Sequence, residues 1–250
     1  MKRDIGKYQA SYLSDEEFER FLVRYRQDAI LALLAEGAYG DIIEIGCGSE
    51  LLYEKYLHAG CAPVRSWLIV EPGDIFATRA EASQLPSLEV MRGFFESSVP
   101  AILERREQPP DYIICSGLIH EVESADHLLN AIKAVAAPHT ILHINTPNAR
   151  SFHRRLALAM KIIPDLRALS PRNLTMQHHR VYDLDRLLKD LSKAGFEMIR
   201  NGGYFVKPFT HKQMEAISPD LGDAILDGLF ELGREYPDWA CEIFVEARLR

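Results

Sequence analysis

The sequence predicts an α/β fold with a mostly parallel sheet, helices on both faces of the sheet and an antiparallel strand pair at the C-terminus. Short apolar runs alternate with segments of helical periodicity, which is typical of parallel strands buried beneath helices. Near the C-terminus the order changes to strand, helical insert, strand, which indicates an antiparallel pair added to the sheet. In sheets of this kind, ligands bind beyond the carboxyl ends of the strands.

The length and composition fit one globular domain spanning residues 1–250. Hydrophobic residues make up 47% of the chain and charged residues 26%, which excludes a disordered or fibrous protein. The net charge of -7 argues against a protein that binds nucleic acid through bulk electrostatics. No apolar run reaches the roughly 20 residues of a membrane span, and the N-terminus lacks the apolar core of a signal peptide. We therefore expect a cytoplasmic monomer or homodimer without a membrane span.

The N-terminal segment, residues 1–38, is predicted to be helical. Ser14 and Glu17 match a capping box, in which two side chains satisfy free backbone amides at the start of a helix. Apolar residues follow at approximately helical spacing, namely Phe18, Phe21, Leu22, Tyr25, Ile30, Leu33 and Leu34.

The first strand, "DIIEI", ends at Gly46 and Gly48, and a helix is predicted from Ser49 to His58. The next predicted strands are "WLIVEPG", "LEVMRG", "DYIICSG" and "HTILHINTP". Helices are expected between them, one around Pro100 to Arg106 and another in "ADHLLNAIKAVA". Each strand thus precedes a helix, as a parallel sheet requires.

The C-terminal part begins with a polar and basic segment, residues 148–182, which we interpret as a lid over the substrate. It is followed by the helix "DLDRLLKDLSKAG" and the strand "FEMIRNGGYFVKPF". A helical insert, residues 207–241, then leads to the closing strand "CEIFVEARL". These last two strands form the predicted antiparallel pair.

The stretch "DIIEIGCGSE" combines glycines with a carboxylate. Gly46 and Gly48 allow a tight turn and close approach of a ligand, and the following helix offers free amide groups. Glu71, at the end of the next strand, can accept hydrogen bonds from both hydroxyls of a ribose. Glu44 lies within a buried strand, where an unpaired acid is costly, and a cationic ligand would offset that cost. A dehydrogenase fingerprint instead has a third glycine where this chain has Leu51.

At "EIGCGS" the chain resembles the class I S-adenosylmethionine-dependent methyltransferases, and the resemblance implies their Rossmann-like fold and S-adenosylmethionine as cofactor. It also implies that Glu44 faces the amino acid end of the cofactor and that Glu71 holds the ribose. The resemblance continues in "MRGFFES", which borders the adenine in that family, and in the fourth motif, "DYIICSGLIHEVE". The implied cofactor-binding residues are Glu44, Gly46, Cys47, Gly48, Glu71, Pro72, Gly93, Phe94, Phe95, Ser116 and Leu118.

Methyl transfer needs the acceptor to be held close to the methyl carbon, and a hydroxyl acceptor also needs a base. A histidine with an ordinary pKa near 6.5 suits that role. The candidate bases are His120, His143, His153, His178 and His179. His120 is best placed because it follows the fourth strand, although a hydrogen-bonded histidine in the cleft wall is an equal alternative. Glu121 joins it in the catalytic prediction, although many relatives carry the two residues in reverse order, and His143 is expected to be structural.

The basic segment contains many arginines, which form either a solvated helix face or a lid that binds an anionic acceptor. On the second interpretation, Arg150 and Arg154 share a helix face. The predicted substrate-binding residues are Asn148, Arg150, His153, Arg154, His178 and His179. The segment "TPNARSFHRRLALAM" is similar to bacterial methyltransferases of sugar, polysaccharide and secondary-metabolite pathways, which implies a small-molecule or glycan-linked acceptor.

Other reactions and ligands are not expected. Methyltransferases of nucleic acid amines carry an Asn/Asp-Pro-Pro-aromatic motif, which this chain replaces with Cys115 to Leu118. No metal is expected, because the four cysteines are scattered and the adjacent His178 and His179 point in different directions. Two alternatives remain, a regulatory protein that binds the nucleoside without chemistry and a nicotinamide-dependent oxidoreductase.

Overall fold

The computed structural model describes residues 4–7, 9 and 17–250, except for the side chain of Glu17. The predicted capping box of Ser14 and Glu17 therefore lies outside the described residues. The strands are β1 (Asp41–Ile45), β2 (Ser66–Glu71), β3 (Leu88–Arg92), β4 (Tyr112–Ser116), β5 (Ile141–Pro147), β6 (Phe196–Tyr204) and β7 (Glu242–Leu249). The helices are α1 (Glu17–Leu34), α2 (Leu52–His58), α3 (Asp74–Ala82), α4 (Phe95–Arg105), α5 (Ala125–Val135), α6 (Phe152–Ala159), α7 (Pro171–Thr175), α8 (Leu184–Ala194) and α9 (His211–Glu235).

The strands form one seven-stranded sheet in the order β3-β2-β1-β4-β5-β7-β6. β1 to β5 are parallel, and β7 pairs antiparallel with both β5 and β6. The predicted mostly parallel sheet with a C-terminal antiparallel pair is confirmed. Strand order reverses between β1 and β4, because β2 and β3 lie on one side of β1 and the later strands on the other. The carboxyl ends of β1 and β4 therefore border the crevice where such sheets bind ligands.

Both faces of the sheet are covered by helices. Ile42 and Trp67 belong to an apolar cluster with α1, α2 and α3. Ile43 and Leu68, which point to the opposite face, pack with α4, α5 and α8. Because both faces are buried at the centre of the sheet, the inner strands β1, β2 and β4 are nearly continuous apolar runs, whereas the edge strands β3 and β6 are largely exposed. No helix in the described part of the chain is both long and apolar enough to cross a membrane.

Helices α1 and α9 pack against each other above the end of β6. Phe18 of α1, Met214 of α9 and Phe205 form the centre of this third apolar cluster. Helix α9 is interrupted at Gly222, whose φ is 70°. Further along the helix, a Cβ at Gly233 would lie 2.1 Å from the backbone nitrogen of Phe205. The absence of a side chain at this glycine therefore lets α9 approach the segment that follows β6.

The structure differs from the predicted elements at two places near the ligand edge. Helix α2 begins at Leu52, because Ser49 belongs to the turn after the glycines. Helix α6 begins at Phe152, so Arg150 precedes it. The helix face that Arg150 and Arg154 were predicted to share does not form, and that expectation is wrong.

Candidate functional site

The turn after β1 leaves open space for a ligand. Gly46 and Gly48 have φ angles of 78° and 60°, which L-residues with a side chain rarely adopt. A Cβ at Gly46 would have the Glu71 carboxylate as its nearest neighbour at 3.8 Å, and one at Gly48 would meet nothing within 4 Å. The amide of Gly46 donates to the carbonyl of Val70 over 2.9 Å, which fixes the turn against β2.

Glu71 braces this turn from the end of β2. Its carboxylate accepts hydrogen bonds from the backbone amides of Cys47 over 3.0 Å and Gly73 over 2.7 Å. The side chain is buried, which raises the pKa of Glu71, and the backbone donors oppose that shift. Oε1 accepts from Gly73 and has a second lone pair for a ligand hydroxyl, whereas Oε2 also accepts from the thiol of Cys47 over 3.8 Å.

Glu44 is a buried acid in the centre of β1. It is 4% exposed, and its carboxylate accepts a hydrogen bond from the indole nitrogen of Trp67 over 2.8 Å. Burial raises the pKa of Glu44 to about 8, the negative charge of Glu71 acts in the same direction, and the Trp67 bond opposes both. Among the described residues, no lysine, arginine or histidine forms an ion pair with it. A cationic group of a ligand would supply the missing counter-charge.

Two adjoining cavities line the crevice and together form what we call the cofactor cleft. One, of about 720 Å³, is lined by Glu71, Pro72, Phe94, Phe95 and Leu118 among others. The other surrounds the glycine turn and is lined by Glu44, Gly46, Cys47, Gly48, Ser116 and Leu118 among others. Of the residues predicted to bind the cofactor, Gly93 is outside both linings, and its φ of 137° turns the chain from β3 into α4. An open glycine turn, a carboxylate at a strand end and an unpaired acid fit a ribose-containing ligand with a cationic end.

A third cavity, which we call the polar pocket, shares Arg26, Gly117 and Glu121 with the cofactor cleft. Its volume is about 150 Å³. It extends past β5 to the ends of β7 and β6. Its polar lining includes Glu19, His120, Glu121, His178, Lys207 and His211.

Three polar side chains lie at the end of the polar pocket next to the cofactor cleft, namely His120, Glu121 and His178. Nδ1 of His120 lies 3.2 Å from the hydroxyl of Thr146. Nε2 of His120 and Nε2 of His178 lie 3.7 and 3.6 Å from the same oxygen of Glu121. The two imidazole rings meet edge to face with centroids 4.4 Å apart. The predicted catalytic residues His120 and Glu121 are therefore brought together with His178.

These three residues also have the spacing of possible metal ligands, with ligand atoms within 4.8 Å of one another. Sequence spacing missed the group because His178 comes from a distant segment. The hydrogen bonds around His178 favour a different role. Asn173 accepts from the Ser170 amide with its oxygen, so its nitrogen faces Nδ1 of His178 at 3.0 Å. The proton of His178 then lies on Nε2 and faces Glu121, so neither ring nitrogen has a free lone pair for a metal ion.

The arginines that were predicted to bind the acceptor have other partners. Arg150 lies outside the polar pocket and pairs with Asp185 at 3.2 Å and Asp238 at 3.7 Å. Arg154 lines the pocket, but it donates to the carbonyls of Leu166 over 2.9 Å and Ala168 over 2.6 Å. The expectation that both arginines face the acceptor is therefore wrong for Arg150, because nearby acids hold it at the surface.

The other predicted residues divide between the pocket and the scaffold. Asn148 lines the pocket, but its amide nitrogen donates to the carbonyl of Ala240 over 3.0 Å. His153 lines the pocket, whereas His179 is outside its lining and donates its backbone amide to the His120 carbonyl over 2.9 Å. His143 is fully buried within the sheet, and burial lowers its pKa to about 3. Its position agrees with the structural role predicted for it.

Sequence reasoning missed most of the charged residues that line the polar pocket. Glu19 and Arg26 come from α1, Lys207 follows β6, His211 begins α9 and Glu242 begins β7. The one signal available was Lys207, a charge within the apolar run "YFVKPF". The remaining residues look like ordinary surface charges of a helix or strand, because only packing buries them.

Comparisons with known proteins agree with this geometry. Residues 18–201 match a family described as methyltransferase domain. No curated protein sequence matches the chain at a significant level.

Solved structures share the fold at low sequence identity. An S-adenosylmethionine-dependent methyltransferase from Mesorhizobium loti is 17% identical with a TM-score of 0.55, over 88% of this chain and 96% of that one. Magnesium protoporphyrin IX methyltransferase from Synechocystis PCC 6803, with bound S-adenosylhomocysteine, is 13% identical with a TM-score of 0.58, over 95% and 89%. The N-methyltransferase NodS from Bradyrhizobium japonicum, also with S-adenosylhomocysteine, is 12% identical with a TM-score of 0.53, over 95% and 90%.

Proposed function

The chain belongs to the methyltransferase-domain family and is an S-adenosylmethionine-dependent methyltransferase, and we propose that it methylates a hydroxyl group of a small-molecule or glycan-linked acceptor. The acceptor is expected in the polar pocket, which shares part of its wall with the cofactor cleft. Relatives of this fold include an N-methyltransferase, so the fold alone leaves the acceptor atom open. The proposal of an oxygen atom comes from the residues beside the cleft.

The residues of the cofactor cleft suit S-adenosylmethionine. Glu71 would hold the ribose hydroxyls, and the amides after Gly46 and Gly48 would lie beneath the amino acid moiety. Glu44, which has no cationic partner among the described residues, would face the positively charged end. When bound, this cofactor supplies an activated methyl group on a sulfonium ion.

His120 is the proposed base. With its proton on Nδ1 and donated to Thr146, Nε2 is the nitrogen that takes the proton of the acceptor hydroxyl. Glu121, 3.7 Å from Nε2, would stabilise the imidazolium that results. Nε2 of His178 faces the same carboxylate oxygen of Glu121 from 3.6 Å, and its N–H dipole would help to hold the carboxylate in place. Its side chain is thus a positioning group and not a proton acceptor.

The observation that carries the proposal is the position of His120, which lines the polar pocket directly before Glu121, a residue that lines both this pocket and the cofactor cleft. The test is incubation of the purified protein with S-adenosylmethionine and a panel of hydroxylated sugars, sugar acids and hydroxy acids. Formation of S-adenosylhomocysteine and a product heavier by one methyl group supports the proposal. Amine analogues of the same acceptors serve as the control for the acceptor atom. Methylation of the amines alone would overturn the hydroxyl assignment.

The alternative from the sequence is a protein that binds the nucleoside without chemistry. It predicts micromolar binding of S-adenosylmethionine with no methylated product from any acceptor. The titratable groups at the shared wall favour catalysis, because a binding module has no need of a base there. Nicotinamide cofactors, the remaining alternative, are tested by the same titration.

A further inference from the structure

Lys207 is a buried cation at the far end of the polar pocket. It is 3% exposed and follows β6, whereas His120 follows β4. Strands β5 and β7 lie between β4 and β6 in the sheet, so the two residues stand at opposite ends of the pocket. Lysine is rarely buried without a partner of opposite charge.

The nearest polar partner of Lys207 is a histidine. Its ammonium nitrogen lies 2.7 Å from Nδ1 of His211. An ammonium group only donates, so Nδ1 accepts and the proton of His211 lies on Nε2. Nε2 in turn lies 2.8 Å from an oxygen of Glu19. This chain of hydrogen bonds fixes the position of the ammonium group without neutralising its charge.

The carboxylates of the pocket are held by other cations. Glu19 lies 3.3 Å from Arg26 and 3.7 Å from Arg172, in addition to its bond with His211. Glu242 accepts from Nε of Arg26 over 2.9 Å. Within the part of the chain that the structure describes, no carboxylate oxygen lies within ion-pair distance of Lys207.

A second group that lines the polar pocket has a buried atom without a partner. Nδ1 of His153 is buried and forms no hydrogen bond with any described residue. Burial, together with the nearby charge of Lys207, lowers the pKa of His153 well below its usual range, which keeps the imidazole neutral. A neutral imidazole can donate to an anion that a buried ammonium attracts. Burial also lowers the pKa of Lys207 to about 8, so the ammonium form still predominates at neutral pH.

We infer that Lys207 and His153 form an anion-binding subsite, where a carboxylate or phosphate of the acceptor binds while its reacting group lies near His120. This inference rests on the proposed function for the identity of the ligand as acceptor, but its binding chemistry does not depend on methyl transfer. The subsite replaces Arg150 as the source of selectivity for an acidic acceptor. An acceptor anion would be the missing counter-charge of Lys207.

The probes are inorganic phosphate and acetate, titrated by calorimetry into the protein saturated with S-adenosylhomocysteine. We expect millimolar binding, weakened at least tenfold by Lys207→Met and largely retained by Lys207→Arg. Tighter binding of phosphate than of acetate, or the reverse, distinguishes a phosphorylated acceptor from a carboxylic acid. Lys161→Met, which removes an exposed lysine of the basic segment, should bind as the wild type does. Circular dichroism and thermal melting check that each variant is folded.

Two results would overturn the inference. One is the absence of anion binding to the wild type, and the other is equal binding to the wild type and the folded Lys207→Met variant. The acceptor panel decides the proposed function separately. Anion binding that depends on Lys207 in a protein that methylates nothing would leave the subsite standing and remove the enzyme assignment.

Discussion

The backbone amide of Cys47 donates to the carboxylate of Glu71 over 3.0 Å, and this bond joins the carboxyl ends of β1 and β2. It brings the glycine turn and the acid at the next strand end into one wall. A ligand on the glycine turn must therefore lie against this carboxylate. The glycine turn and Glu71 lie side by side because Ile45 of β1 pairs with Val70 of β2 in parallel register.

Replacing Glu71 should weaken the cofactor complex. Glu71→Gln keeps the size of the side chain but removes the charge that accepts ribose hydroxyls, and we expect a loss of about 1.5 to 3 kcal/mol. That corresponds to roughly a ten- to hundredfold weaker affinity for S-adenosylhomocysteine in calorimetry. Glu89→Gln, an exposed acid on β3, is the matched control. Unchanged affinity in a folded Glu71→Gln protein would contradict the ribose assignment.

The affinity for S-adenosylhomocysteine should rise with pH because of Glu44. Its pKa of about 8 means that the carboxyl group is mostly protonated below that pH. Contact with the ligand's ammonium group favours the carboxylate, so a proton leaves on binding and affinity increases by up to about tenfold per pH unit below pH 8. Above that pH the ligand's own amino group loses its charge, and the increase ends.

The measurement is calorimetry between about pH 6 and pH 8 in buffers of different ionisation enthalpy, which reports the released proton directly. Glu44→Gln should bind more weakly at pH 8 and have a much flatter pH profile. If the affinity of Glu44→Gln depends on pH as steeply as that of the wild type, the released proton comes from another group.

Loss of the proposed base should lower turnover and spare binding. His120→Gln is expected to reduce kcat by about two orders of magnitude or more, while affinity for S-adenosylhomocysteine stays within about twofold. His139→Gln, whose side chain is 57% exposed, is the matched control and should leave both quantities unchanged. If the kcat of His120→Gln equals that of the wild type, His120 is only part of the cleft wall. Another group then takes the proton of the acceptor.

Replacing Arg154 should alter acceptor binding and the stability of the basic segment, whereas replacing Arg150 should not. Arg154→Ala leaves the carbonyls of Leu166 and Ala168 without their donors, at about 0.5 to 1.5 kcal/mol for each hydrogen bond. We expect a severalfold higher acceptor KM and faster proteolysis near these two residues. Arg150→Ala removes exposed ion pairs of little energetic value and should change neither. A tenfold higher KM in Arg150→Ala would return this arginine to the acceptor site.

Much of the cofactor cleft could be predicted from the sequence because it is built from contiguous segments. Gly46 and Gly48 directly follow a buried strand, and Glu71 ends the next one. In a parallel sheet the carboxyl ends of neighbouring strands share one edge, so a short motif at each end is sufficient to place them together. The antiparallel pair at the C-terminus was likewise visible in the order of apolar runs.

The basic segment was misinterpreted because composition counts charges without their partners. Arg150 looked available for an anion, yet Asp185 and Asp238 lie next to it only after the chain has folded. His178 is adjacent in sequence to His179, but its neighbour at the site is Glu121. Neither contact has a sequence signature, because each joins distant segments.

The sequence by itself determined the layered sheet and the ligand edge, because periodicity and strand-end motifs are local properties of the chain. Only the tertiary structure decided the polar pocket, which draws Glu19 from α1, His120 from the end of β4, Lys207 from the end of β6 and His211 from α9. Whether a charge is buried, and which group compensates it, depends on how helices pack over the sheet. That packing is a sum of many weak apolar contacts across the whole molecule, so no single segment encodes it.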